Sequence, residues 1–258
     1  MSDSPILTGT ADGVLTITLN RPDTLNSLTT ELIDALRAAV EDAASDDAVR
    51  AIVITGAGRG FSSGAALSGE TAGIPDLEPP LLNHYNPAIL AIQKIEKPVI
   101  AAINGIAAGA GSSFALAADF RVMSDKAKIA VLFVRIGLAP DAGASYFLPR
   151  LVGVTRATEI MMLGEDILPE KALTWGLVNR VFPADTFEQD VKTFAAQVAA
   201  APRAAGMVKR LMRKTMNLNL PEQLKVEAKV QGEAGRTSDF VEGVMAFTEK
   251  RPAKFTGS

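Results

Sequence analysis

The chain has 258 residues, 48% of them hydrophobic, which is enough to bury a large core as one broad domain or as a core with a smaller appendage. Its 26 basic and 29 acidic residues give a formal charge of -3, which offers no purchase on a nucleic-acid backbone or an anionic membrane surface. Cysteine is absent and histidine occurs once, so disulfides, thiol nucleophiles and histidine-rich metal clusters are excluded, and the chemistry falls to oxygen acids or the backbone.

Met1-Ser2-Asp3-Ser4-Pro5 lacks the basic start and apolar run of a signal peptide, and no uninterrupted apolar stretch reaches spanning length, so a cytoplasmic protein is expected. Leu15, Ile17 and Leu19 alternate with Thr16 and Thr18 at the period of a half-buried strand, which Asn20-Arg21-Pro22-Asp23 ends. From Thr29 the period becomes helical, with Leu32, Leu36, Val40 and Ala43 on one face and Glu31 and Asp34 near the positive end. Ala51-Ile52-Val53-Ile54-Thr55 is a continuous apolar run closed by Gly56-Ala57-Gly58-Arg59-Gly60, the pattern of a strand buried on both faces.

Ser68 to Asn83 holds three prolines, Pro75, Pro79 and Pro80, and reads as a mobile surface loop bordering a substrate pocket. Pro98 to Ile103 repeats the buried-strand design, runs into Asn104-Gly105, and Gly109-Ala110-Gly111 then opens a small-residue helix over Ser112 to Ala118. After Val181 the spacing predicts helices near Thr186 to Ala199, Pro202 to Met216, Pro221 to Gly235 and Asp239 to Phe247, with a boundary near Ala200. Alternating strands and helices make the class α/β. The helical tail is expected to pack on the first domain or on another subunit, because alone it has little core.

Both buried strands lead to small-residue turns, Phe61-Ser62-Ser63-Gly64-Ala65-Ala66-Leu67 and Gly109-Ala110-Gly111, which can point bare backbone N–H groups into a cleft. Two such groups converging on one oxygen make an oxyanion hole, although spacing alone favours ordinary tight turns in which glycine supplies an unusual φ. Phosphate cradles are excluded: Phe114 stands where a dinucleotide fingerprint needs its third glycine, and no Gly-Lys-Ser/Thr follows any turn.

Several blocks in order resemble the enoyl-CoA hydratase/isomerase (crotonase) superfamily. They are Leu19-Asn20-Arg21-Pro22 with Leu25-Asn26-Ser27-Leu28, Ile54 to Ala65, Lys97 to Gly105, Leu148 to Gly153, Trp175-Gly176-Leu177-Val178, Gly235-Arg236 and Glu242 to Phe247. Tyr85-Asn86-Pro87, Ala107 to Gly111, Gly137-Leu138-x-Pro140-Asp141 and Phe255-Thr256-Gly257 are most similar to the isomerases of ring-1,2-epoxyphenylacetyl-CoA and to 3-enoyl-CoA to 2-enoyl-CoA isomerases.

The resemblance implies a crotonase (ClpP-like) spiral of ββα units over residues 1–200 and a helical oligomerisation region over 201–258, assembled as a homotrimer or a dimer of trimers. It implies an acyl-CoA thioester substrate, with coenzyme A as part of that substrate and neither a separate cofactor nor a metal. The backbone N–H groups of Ala65 and Ala110 become the oxyanion donors. Leu25, Ser63, Gly64, Ala66, Leu67, Gly109, Gly111, Phe133 and Leu138 become substrate or CoA contacts. Phe247 and Lys250 match a C-terminal segment that in this family can reach the adenine and phosphates, sometimes from a neighbouring subunit. One departure is Ala66, where the family usually has aspartate in Gly-Ala-Asp-Leu.

Hydratases of the family use two glutamates, and those positions hold Ser113 and Phe133, neither of which titrates near neutral pH. Asp141 stands where the isomerases carry their catalytic aspartate, and read without the family it would cap the following helix. Apolar Phe133, Ile136 and Leu138 would exclude water around it. His84 is expected to be a surface group with no identifiable orienting partner, although 4-chlorobenzoyl-CoA dehalogenases pair a histidine with an aspartate. Tyr146 and Phe147 are candidates for the acyl pocket or for the core. Isomerase chemistry is expected. A hydratase, a dehalogenase-like hydrolase and a non-catalytic acyl-CoA-binding protein remain as alternatives.

Overall fold

The computed structural model describes residues 4–66 and 76–258. It opens with an antiparallel pair, β1 (Ile6–Ala11) and β2 (Val14–Leu19), in register from Ile6 opposite Leu19 to Ala11 opposite Val14. The alternation in β2 buries Leu15, Ile17 and Leu19. Helix α1 (Thr30–Ser45) starts at Thr29, whose hydroxyl accepts from the Leu32 N–H at 3.3 Å, and it buries Leu32, Ile33, Leu36, Val40 and Ala43. A cap of this kind is worth about 1 kcal/mol.

A unit of two strands then repeats. Strands β3 (Ala51–Gly56) and β4 (Gly60–Ser62) form the first pair, β5 (Val99–Ile103) and β6 (Ile106–Ala108) the second, and β7 (Phe120–Ser124) and β8 (Lys128–Ala130) the third. The first strand of each pair joins a long sheet of order β1-β2-β3-β5-β7-β10, and the second joins a short sheet of order β4-β6-β8-β9. The closing strands are β9 (Asp166–Ile167) and β10 (Arg180–Phe182). From β2 to β10 the long sheet is parallel. Two turns of chain thus pass from one sheet to the other at the same place, which stacks the ends of β4 and β6.

Helices return the chain between pairs. The first is continuous from α2 (Glu78–Pro80) through a wide turn at Leu81–Tyr85 into α3 (Asn86–Lys94). This corrects the surface-loop reading for its second half, while Ser68 to Pro75 lie outside the described residues. Pro79 and Pro80 stand in the first helical turn, where an N–H has no intrahelical acceptor and its loss costs nothing. Next come α4 (Ala110–Ala117), α5 (Ala144–Val152), α6 (Val154–Leu163) and α7 (Pro169–Thr174).

Helices α1, α3, α4 and α5 fill the core on one side of the long sheet. On its other side α8 (Phe187–Ala199) lays Phe187, Val191, Ala195 and Ala199 on Val14, Val53, Ile100, Ala102 and Val122. Strands β3 and β5 are therefore buried on both faces, as their continuous apolar runs demand.

Three more helices complete the chain: α9 (Ala204–Thr215), α10 (Leu220–Ala234) and α11 (Ser238–Glu249). Lys209 anchors α9, its ammonium 2.7 Å from Asp119 and donating to the carbonyl of Ile92 at 2.8 Å. Buried Asp239 gathers the end of the chain, accepting from the N–H groups of Arg203 at 2.7 Å, Thr256 at 2.7 Å and Gly257 at 2.9 Å. Among the described residues, no helix is long and apolar enough to cross a membrane.

Candidate active site

Two glycine turns meet at the ends of β4 and β6. Gly64 has φ +95°, and a Cβ there would stand 2.9 Å from the Ala108 carbonyl oxygen and 3.5 Å from the Ala110 nitrogen. Only glycine permits both that backbone conformation and that approach. Gly111 serves in the same way, since a Cβ on it would be 2.6 Å from the Ser62 Cβ, so α4 can begin directly against β4.

The turn carrying Ala65 is held from the Leu25–Leu28 segment. Leu25 and Asn26 both take positive φ, and buried Asn26 donates through Nδ2 to the carbonyls of Ala57 and Gly60 at 2.9 and 2.7 Å. The Ser63 N–H donates to the Leu25 carbonyl at 2.8 Å, and the Ser63 hydroxyl to that of Thr24 at 2.8 Å. Leu28 brackets Ala65: its N–H donates to the Gly64 carbonyl at 2.8 Å, and its carbonyl accepts from the Ala66 N–H at 3.0 Å. Gly109 donates to the Ala130 carbonyl at 2.9 Å and leads into α4, of which Ala110 is the first residue.

Among the described residues, the N–H groups of Ala65 and Ala110 have no protein acceptor. One belongs to a turn and the other to the positive end of an eight-residue helix, an arrangement that suits a developing negative charge.

Asp141 is tied to α4 through its main chain. The Ser113 hydroxyl, one turn past Ala110, donates to the Asp141 main-chain carbonyl at 3.0 Å. The Asp141 carboxyl is not a helix cap: α5 has Gly143 as its N-cap with no side-chain cap bond, and among the described residues the buried Oδ1 of Asp141 has no hydrogen-bond partner. Burial pushes this acid up from 3.8 to about 6. Phe133 is buried and Leu138 half-buried, joined by a Leu138 N–H to Phe133 carbonyl bond of 3.0 Å. Ile136 does not belong to this apolar wall, being 59% exposed on a tight 3-10 turn whose outer face looks to solvent.

Sequence reasoning missed Tyr85 as a site residue. It is buried, with its ring centre 6.2 Å from that of Phe114 on α4, and its hydroxyl donates to the Leu28 carbonyl at 3.2 Å. Burial, reinforced by the nearby Asp141 charge, pushes its hydroxyl up to about 12, so it stays protonated at any working pH.

His84 does have an orienting partner, contrary to expectation: Nδ1 lies 2.9 Å from Oδ2 of Asp34 on α1. Tyr146 and Phe147 border a cavity of about 730 Å³ between α5, α8 and α9, whose walls include none of Ala65, Ala110 and Asp141. Leu67 lies outside the described residues. Phe247, 85% exposed, and Lys250 sit at the end of α11, with no described hydrogen bond or ion pair to either glycine turn. Among the described residues, no three histidine, aspartate or glutamate side chains converge as a metal site.

This backbone-donor pair with one buried carboxyl sits on a fold seen in solved structures. An enoyl-CoA hydratase from Bacillus anthracis superposes with a TM-score of 0.93 at 31% identity, covering 98% of this chain and 100% of that one. A Rhodobacter capsulatus protein named "Probable enoyl-CoA hydratase" is 43% identical over 248 residues, 96% of each chain. The 1,2-epoxyphenylacetyl-CoA isomerase of Escherichia coli K12 is 37% identical over 257 residues, 98% of each chain. The family model described as enoyl-CoA hydratase/isomerase matches residues 9–258, and the chain belongs to that family, with the crotonase fold.

Proposed function

We propose that this protein is an acyl-CoA isomerase in which Asp141 is the only proton-transferring side chain. Asp141 takes a proton from the carbon between a 3-ene and the thioester, and the Ala65 and Ala110 N–H groups hold the oxygen of the dienolate. The same acid then returns the proton at the γ carbon, giving the 2-enoyl thioester. Each backbone donor would contribute on the order of 3 kcal/mol to the transition state. Leu25, Ser63, Gly64, Ala66, Gly109, Gly111, Phe133 and Leu138 would shape the thioester and acyl contacts around these groups.

The observation that carries this reading is the half-buried Asp141 carboxyl, whose Oδ1 has no partner among the described residues, beside a helix whose hydratase-glutamate position is Ser113. The name of the Escherichia coli relative supports a ring-epoxide CoA as a further substrate of the same enolate chemistry. Hydration is the second reading, favoured by the name of the Rhodobacter capsulatus relative. It needs two acid-base groups, and Ser113 and Phe133 supply neither.

Residues 201–258 would form the oligomerisation region of a trimer or a dimer of trimers. Met212, Met216, Leu220, Val241 and Phe247 support this, since each is more than half exposed in the single chain. Phe247 and Lys250 would then meet the CoA of a neighbouring subunit. The test is product chromatography after incubation with a 3-enoyl-CoA and, separately, with a 2-enoyl-CoA. The reading expects 2-enoyl-CoA from the first and no hydration of the second; brisk hydration would overturn it.

A further inference from the structure

We infer that Tyr85 is a positioning residue for the oxyanion hole, holding the Ala65 N–H on target through Leu28. The inference rests on the isomerase reading above. Ser63 ties the preceding residues to Leu25 and Thr24, and among the described residues the backbone hydrogen bonds that flank Ala65 itself run to Leu28, from the Ala66 N–H and to the Gly64 carbonyl. The Leu28 carbonyl therefore sets where the first donor points. That oxygen has two lone pairs: one takes the Ala66 N–H at 3.0 Å and the other the Tyr85 hydroxyl at 3.2 Å.

The tyrosine is itself fixed from two sides. Its ring packs on Phe114 in α4, the helix that starts with the second donor, Ala110. Its backbone lies in the wide turn Leu81–Tyr85, which the His84 to Asp34 bond ties to α1 at 2.9 Å. Helix α1 begins just after Leu28, so the same bond braces Leu28 from its other end. Tyr85 thus connects the turn that carries one donor with the helix that carries the other, and a displacement of either would change the spacing of the two N–H groups. A catalytic geometry of this kind loses rate on sub-ångström misplacement. The Asp141 charge also acts on the tyrosine hydroxyl.

Tyr85→Phe tests this, because it keeps the ring on Phe114 and removes only the bond to Leu28. Three readouts on the full chain separate positioning from general damage: kcat and KM on a 3-enoyl-CoA, binding of a CoA thioether that lacks the acyl carbonyl, and binding of a 3-oxoacyl-CoA followed by its enolate absorbance. The expected result is a kcat lower by roughly five- to tenfold, as for loss of one hydrogen bond, with KM unchanged. Enolate binding should weaken by the same factor while thioether binding stays at the parent value. His84→Ala should give a smaller loss of the same kind that vanishes in the Tyr85→Phe background. A Tyr85→Phe variant with parental kcat, or one that loses both ligands equally, would overturn the inference. If the parent protein shows no preference for the enolate over the thioether, the isomerase reading itself fails and the inference falls with it.

Discussion

The Ser113 hydroxyl donates to the main-chain carbonyl of Asp141 at 3.0 Å, joining the first turn of α4 to the loop that leads into α5. This short side chain fixes the backbone of the residue proposed as the acid. Ser113→Ala should therefore lower kcat on a 3-enoyl-CoA on the order of fivefold, the effect of about 1 kcal/mol, and leave KM little changed. Steady-state kinetics of the variant checks this.

The acid must be ionised to accept a proton, and burial raises it to about 6. The plot of log kcat/KM against pH should rise with unit slope below about 6 and level off above it. A limb centred near 4 instead would place the titrating carboxyl in water rather than beside the donors.

The same shift acts on stability with a definite sign. The folded value, about 6, lies above the ordinary 3.8, so between them the folded state binds a proton that the unfolded state has released. Stability from this group is fully present below 3.8 and is lost as pH rises through about 6, beyond which an ionised carboxylate stays half-buried at a cost. Asp141→Asn should thus unfold at higher urea concentration than the parent at pH 8, with the gap closing as pH falls towards 4. Urea titrations at several pH values read the difference directly.

A buried cation is one anchor of the C-terminal helices. Lys209 is 4% exposed at its side chain and reaches Asp119 at 2.7 Å, while Gly206 lies so close to Glu96 that a Cβ would stand 1.8 Å from its carbonyl oxygen. Lys209→Met would leave Asp119 buried without its partner, and a loss of about 3–5 kcal/mol in unfolding free energy is expected. The double variant with Asp119→Asn should recover part of that loss.

Much of this fold is readable in the chain. The helical period of α1 shows which face is buried, the spacing after Val181 places α8 to α11, and the apolar runs of β3 and β5 reflect cover on both sides. Strands β4 and β6 escape because three residues carry no period. Strand β7 hides behind Arg121, a charged residue inside the core whose guanidinium donates to the carbonyls of Leu177 and Ala118 at 2.7 and 2.6 Å. At the site, the small-residue turns and Asp141 are visible in sequence, whereas backbone donors leave no side-chain signature. Tyr85 appears there only within Tyr85-Asn86-Pro87, because its bond to Leu28 spans 57 residues. His84 finds Asp34 across 50 residues, so its partner has no local mark.

In the proposed mechanism one carboxyl moves the proton. Its most direct test is Asp141→Asn assayed for conversion of 3-enoyl-CoA to 2-enoyl-CoA, with substrate affinity measured alongside by calorimetry. A loss of roughly 10²–10⁴-fold in kcat is expected, with the substrate Kd nearly unchanged. An Asp141→Asn variant that isomerises at the parental rate would contradict it.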